Sequence, residues 1–150
     1  MRCVVQRVSR ACVRVEGKLF ASIGSGLAVF LSFENGDTED SLEYMKKKIL
    51  HLRIFSDGQG KMNRSVVEEN KEILLVPNFT VSGDARYGNR PDFTSCAHFE
   101  QAEKMFHYFA QHLERDYSGK IKKGAFGSYM EVEVVNDGPV TILLDSRRRF

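Results

Sequence analysis

Two short stretches of this chain place polar groups with chemical potential where an apolar strand should simply continue or end. In the first, Ile73-Leu74-Leu75-Val76 runs into Pro77-Asn78-Phe79-Thr80-Val81. Thr80 offers a hydroxyl and Asn78 an amide. A hydroxyl becomes a nucleophile only beside a general base, and the sequence supplies none next to Thr80. Proline removes a ladder hydrogen bond, so this strand must lie at an edge or bulge there. Without a function, the segment is a strand end with Thr80 as an ordinary β residue. The second stretch, Asn136-Asp137-Gly138-Pro139-Val140-Thr141, reads without a function as a hairpin turn, because Asp-Gly and Gly-Pro are turn formers.

Other chemistries are disfavoured. Gly24-Ser25-Gly26 leads into a strand rather than a helix, so it lacks the phosphate-cradling context of a dinucleotide fingerprint. His107 and His112 fall on different sides of a helix, and His98 is at ligand spacing from neither; no metal site is expected. No Gly-x-Ser-x-Gly elbow occurs. Neither a metal nor an organic cofactor is indicated.

The scaffold that must position the two stretches is legible from periodicity. Val4 to Val15 is rich in β-branched residues, and Glu16-Gly17-Lys18 makes a turn before Leu19-Phe20-Ala21. Gly26-Leu27-Ala28-Val29-Phe30-Leu31-Ser32-Phe33 is nearly all apolar, as in a strand covered on both faces. Asp37 or Thr38 can cap a helix whose Leu42, Met45, Ile49 and Leu52 share a face. Arg53-Ile54-Phe55 reads as a short strand before the Asp57–Gly60 turn, and Ser82 to Pro91 as a surface loop. Phe99, Ala102, Phe106, Phe109, Ala110 and Leu113 then keep helical spacing. Two strands, Tyr129 to Val135 and Val140 to Leu144, close the chain. The expected fold class is α/β (α+β): a mostly antiparallel, barrel-like sheet with two main helices packed outside.

The 150 residues are expected to form a single domain, with no linker or repeat. With 42% hydrophobic and 28% charged residues the composition is that of a globular protein. No apolar run is long enough to span a membrane, and charge interrupts the N-terminus too early for a signal peptide. Three cysteines without Cys-x-x-Cys spacing point to a reducing compartment, and a cytoplasmic location is expected. A net charge of +2 neither demands nor excludes nucleic acid.

Several pieces occur together in one order: Gln6-Arg7-Val8-Ser9-Arg10-Ala11, Leu52-Arg53-Ile54-Phe55, Gly60-Lys61-Met62-Asn63, Arg90-Pro91-x-Phe93, Phe126-Gly127-x-x-Met130 and Asn136 to Thr141. From Met1 to about Ser146 the set resembles the D-aminoacyl-tRNA deacylase family, known earlier as D-tyrosyl-tRNA deacylases. The resemblance implies a homodimer that hydrolyses the ester joining a D-amino acid, or mischarged glycine, to tRNA, with the active site at the subunit interface and no membrane or DNA partner. It places the catalytic segment at Asn78, Phe79 and Thr80, and implies a cis Gly138–Pro139 bond whose carbonyls face the partner's pocket and reject L-amino acids. Arg7 and Asn136 would support that segment, with Arg7 equally readable as a surface cation. Phe126 or Met130 would wall the terminal adenosine, although core packing is the plainer reading of Met130. Thr80 is expected to position rather than attack, with backbone N–H groups of Phe79 and Thr80 serving an oxyanion and the tRNA ribose 2′-OH assisting.

One departure stands out. The family's second signature usually reads Ser-Gln-Phe-Thr-Leu, and here Pro77, Asn78 and Val81 differ. The proline resembles a related group with relaxed chirality that removes L-alanine, so a variant editing deacylase is one alternative. A non-catalytic tRNA-binding domain is another, and a small-molecule esterase using Thr80 a third. For tRNA phosphates the clusters Lys46–Lys48, Lys120–Lys123 and Arg147–Arg149 are available, with only the C-terminal arginines expected to reach out freely.

Overall fold

The computed structural model describes residues 1–149. Strand β1 (Arg2–Val15) turns through Glu16-Gly17 into β2 (Lys18–Ile23), and β3 (Gly26–Ser32) follows. Helix α1 (Glu39–His51) comes next, then the small pair β4 (Phe55–Ser56) and β5 (Met62–Arg64). Strand β6 (Glu72–Pro77), a 3-10 turn (Phe79–Ser82), helix α2 (Phe99–Asp116), β7 (Ile121–Lys123) and β8 (Glu131–Asp145) complete the chain. The main sheet runs β2-β1-β3-β6-β7, with β8 on the other side of β1. Beyond its paired neighbours, β2 also lies against β6 and β7, which curls the sheet toward a barrel.

Alternation along the central strands builds two cores, because successive side chains leave opposite faces. Leu27, Val29 and Leu31 of β3 and Ile73 and Leu75 of β6 pack with Leu42, Met45 and Ile49 of α1 and Phe106, Phe109 and Leu113 of α2. Ala28, Leu74 and Val76 face the other way, toward Val8, Ala11, Val13, Ala21 and Ile23 inside the curled sheet. A strand in this position must be apolar on both faces, which is what the Gly26–Phe33 run implies. Thr38 caps α1 in a box with Ser41, whose Oγ accepts the Thr38 N–H at 3.4 Å. Among the described residues no helix is long and apolar enough to cross a membrane.

The sheet is mostly antiparallel: all pairings of β1 are antiparallel, while β3–β6 and β6–β7 are parallel, because α1 and α2 serve as the crossovers. One expectation needs correction: the chain does not turn back at Asn136–Pro139. β8 is one strand, long enough to pair with β1 from Arg2 to Arg14. Gln6 lies opposite Thr141 and Val8 opposite Asn136, so Asp137, Gly138, Pro139 and Val140 stand against Arg7 alone. The turn-forming residues make a wide bulge, and a β1 of fourteen residues keeps both halves of β8 on one course.

Candidate active site

The Asn78–Thr80 turn forms because β6 outruns its neighbour. β7 pairs only with Ile73–Leu75, and the Gly124 N–H closes that edge on the Leu75 carbonyl at 2.8 Å. Pro77 lies beyond β7, where its missing N–H deprives no strand. On the other side β3 still holds the chain, with the Asn78 N–H donating to the Leu31 carbonyl at 2.8 Å. Asn78 then caps the 3-10 turn: its Oδ1 accepts the Thr80 N–H at 3.2 Å and the Thr80 hydroxyl at 2.6 Å. The short amide therefore folds back onto its own turn. The Thr80 proton rests on an amide oxygen, which is no base, and among the described residues no carboxylate or imidazole hydrogen-bonds to that hydroxyl. The Phe79 N–H donates to no described partner. Its ring, 59% exposed, stands edge-on to Phe93 with centroids 5.1 Å apart.

Beneath the turn lie two residues that the site reading of the sequence did not include. The Ser32 hydroxyl donates to the Phe79 carbonyl at 3.1 Å, and the Cys96 thiol approaches the same oxygen at 3.5 Å. Burial pushes the Cys96 thiol above its ordinary value, with Ser32 pulling against that shift, so it stays protonated and able to donate near neutral pH. One signal was there to find: Ser32 is the sole hydroxyl in the apolar Gly26–Phe33 run, and a buried hydroxyl needs a partner.

The bulge in β8 is held from both sides. Asn136 Oδ1 accepts the Val140 N–H at 2.9 Å, while its Nδ2 donates to the Val140 carbonyl at 3.2 Å and to Thr141 Oγ1 at 3.3 Å. Gln6 Nε2 reaches the same Thr141 oxygen at 3.2 Å. From β1, Arg7 Nε donates to the Asp137 carbonyl at 3.1 Å and lies 3.3 Å from its carboxylate. Its NH1 donates to the Ile54 carbonyl at 2.6 Å. With only 12% of its side chain exposed, Arg7 is no surface cation; it braces the bulge. The Gly138–Pro139 bond is cis, and Asp137, Gly138 and Pro139 are exposed.

Within the chain the two segments stay apart: among the described residues no hydrogen bond joins Asn78–Thr80 to Asn136–Thr141. Met130 packs against the core inside the curled sheet, on the Gly124 side where Pro77 also lies. Phe126 packs against Phe99 and Phe106, with centroids 5.3 and 5.6 Å away, and joins the helix-side core. The basic clusters are also less free than expected. Lys46 is buried and bonded to Asp116 and Glu43, because Asp116 of α2 faces it across the helix pair. Lys120 pairs with Glu72 and Lys123 with Glu114. Arg149 pairs with Glu34 and Asp145, and Arg147 with Asp37. Buried carboxylates recruit those arginines, so they do not reach out. Phe150 lies outside the described residues.

Comparison with known proteins agrees along the whole chain. Residues 4–145 match the family model described as D-Tyr-tRNA(Tyr) deacylase. The D-aminoacyl-tRNA deacylase of Thermosipho melanesiensis is 47% identical over 150 residues, 100% of both chains. That of Caldicellulosiruptor saccharolyticus is 49% identical over the same coverage. Among solved structures, one named c-Myc DNA Unwinding Element Binding Protein superposes with a TM-score of 0.93 at 45% identity, covering 97% of this chain and 98% of the other. By its sequence along nearly its whole length, the chain belongs to the D-Tyr-tRNA(Tyr) deacylase family, hydrolases that act on aminoacyl-tRNA.

Proposed function

We propose that the protein hydrolyses the ester of D-aminoacyl-tRNA and of mischarged glycyl-tRNA as a homodimer, in which the Asp137–Pro139 bulge of each protomer lines the turn at the partner's Phe79. The observation that carries this reading is a main-chain bulge that is exposed at its tip and braced from behind by Arg7 and Asn136. Such a bulge cannot yield to a side chain. Carbonyls set close to the substrate α-carbon leave room for a substituent on one side only, so an L residue clashes while a D residue projects outward and glycine passes.

In the reaction a water adds to the ester carbonyl carbon and the bond to the ribose oxygen breaks. The amino acid leaves as its carboxylic acid and the tRNA regains its terminal hydroxyl. The unpaired N–H of Phe79 is suited to receive the oxyanion. Thr80, its proton committed to Asn78, positions the turn rather than attacking, and the ribose 2′-OH assists the water. Met130, beside Pro77, and Phe126 line the approach for the terminal adenosine. The protein acts in the cytoplasm.

A deacylation panel with D-Tyr-, Gly-, L-Ala- and L-Tyr-tRNA tests the reading. Cleavage of the first two with L-Tyr-tRNA intact is the expected result, and Thr80→Ala should retain turnover within about tenfold. Abolished cleavage in Thr80→Ala, with folding and tRNA binding preserved, would overturn the role given to Thr80; tRNA binding without any turnover would leave a binding domain. One observation favours a second reading. Because Asn78 folds onto Thr80, it does not extend outward as a longer glutamine can. L-Ala-tRNA cleaved as fast as D-Tyr-tRNA would establish relaxed chirality.

A further inference from the structure

We propose that Ser32 is a positioning residue for the reaction, its buried hydroxyl fixing the Phe79–Thr80 peptide from beneath so that the turn as a whole holds the Phe79 N–H toward the ester. The proposal rests on the placement of the reaction at the Asn78–Thr80 turn. Ser32 ends β3 at the point where the β6 chain leaves the sheet: Leu31 is still paired with Pro77, and the next residues of β6 rise into the turn. The side chain is 1% exposed, and its hydroxyl donates to the Phe79 carbonyl at 3.1 Å.

A peptide group is planar, so its carbonyl and its N–H point in opposite directions. With the Phe79 carbonyl drawn down onto Ser32, the Thr80 N–H must point up, where Asn78 Oδ1 receives it at 3.2 Å. The preceding peptide is held in the same way: the Asn78 carbonyl accepts the Val81 N–H at 3.3 Å, which turns the Phe79 N–H outward. Phe79 therefore sits between two peptides of fixed orientation, and Ser32 supplies the anchor that comes from outside the turn. Cys96 adds a weaker hold on the same oxygen at 3.5 Å, since a thiol is a poor donor. Its backbone is itself pinned, with its N–H on the Phe93 carbonyl at 3.0 Å. With Ser32 as alanine, the carbonyl keeps only the thiol, and the turn gains freedom to rotate the Phe79 N–H away.

The test compares kcat and KM for D-Tyr-tRNA in Ser32→Ala, Ser32→Thr, Cys96→Ala and Asn78→Ala, together with thermal melting and amide hydrogen exchange at Thr80. Ser32→Ala should lower kcat about tenfold with KM within about twofold and speed exchange at Thr80. Ser32→Thr, which keeps the hydroxyl, should recover most of the rate, and Cys96→Ala should lose about twofold. Should Ser32→Thr not fold, exchange at Thr80 in Ser32→Ala decides: unchanged protection overturns the proposal. Wild-type kcat in Ser32→Ala alongside a slowed Asn78→Ala would also overturn it while sparing the site. A rate loss that tracks melting and is not recovered by Ser32→Thr would reduce Ser32 to a structural hydroxyl. Full activity in both Ser32→Ala and Asn78→Ala would instead remove the reaction from this turn.

Discussion

The turn at Asn78 and the bulge at Asn136 are built from the same part and put to different use. In each, an asparagine Oδ1 accepts a backbone N–H a few residues on, from Thr80 in one and Val140 in the other. The bulge is then clamped by neighbouring elements, with Arg7 joining it to Ile54 and Gln6 reaching Thr141. The turn is tied to β3 at its base and supported from beneath at the Phe79 carbonyl, by Ser32 and Cys96, while the Phe79 N–H donates to no described partner. A wall that excludes must be stiff on every side; a donor that stabilises must keep a hydrogen free. On the proposed reading, the difference in anchoring follows the difference in task.

The largest effect should come from Gly138→Ala, which attacks the bulge where it is tightest. Gly138 has φ +126°, a region that L side chains rarely adopt, and an added Cβ would meet an Arg7 guanidinium nitrogen at 2.7 Å and Val140 Cγ2 at 2.9 Å. Urea denaturation should show a loss of about 2 kcal/mol, and discrimination between D- and L-Tyr-tRNA should fall with it. A silent substitution would mean that the bulge is compliant, and the contrast with the turn would break.

The two asparagines sharpen the contrast. Asn136→Ala removes two hydrogen bonds from a part-buried main chain and one from the Thr141 hydroxyl, and should cost about 1–2 kcal/mol by denaturation. Asn78→Ala should cost less than about 1 kcal/mol, because its bonds are exposed. Equal losses would show that both regions are anchored alike.

The smallest effect concerns pH. Both regions are closed mainly by uncharged amides, whereas the Glu34–Asp145 cluster is ionic. Burial pushes both carboxyls up, but Arg149 and the terminal amine outweigh it, leaving each below its ordinary value. A carboxyl lowered on folding stabilises the protein above its unfolded pKa, about 4, and loses that contribution as the pH falls through the folded value. Melting between pH 5 and pH 3 should therefore drop more steeply in wild type than in Arg149→Ala. Identical slopes would show that the cluster does not set acid stability.

The sequence revealed period and composition better than partnership. The apolar Gly26–Phe33 run and the i, i+3, i+4 pattern from Phe99 to Leu113 announce a doubly covered strand and a helix, because burial is written into residue type. The course of β8 was not legible: Asp-Gly-Pro says that the chain departs from regular pairing, and only the length of β1 decides whether it returns to its line. The pairing of Lys46 and Arg149 was not legible either, since the carboxylates that claim them come from Asp116 and Glu34, distant in sequence. Arg7 was a brace or a surface charge in equal measure until Ile54 and Asp137 were placed beside it. Ser32 was missed for the same reason: a lone hydroxyl announces that it needs a partner, but not that the partner is Phe79.

β1 works as a gauge bar between the two regions. Arg2 lies opposite Ser32, under the turn, and Gln6 opposite Thr141, at the foot of the bulge. Sliding that strand by a single position would shift both features by about 3.4 Å and swap its inward and outward side chains. Within one chain the spacing of turn and bulge is therefore set by one ladder, and loop lengthening elsewhere leaves that spacing untouched.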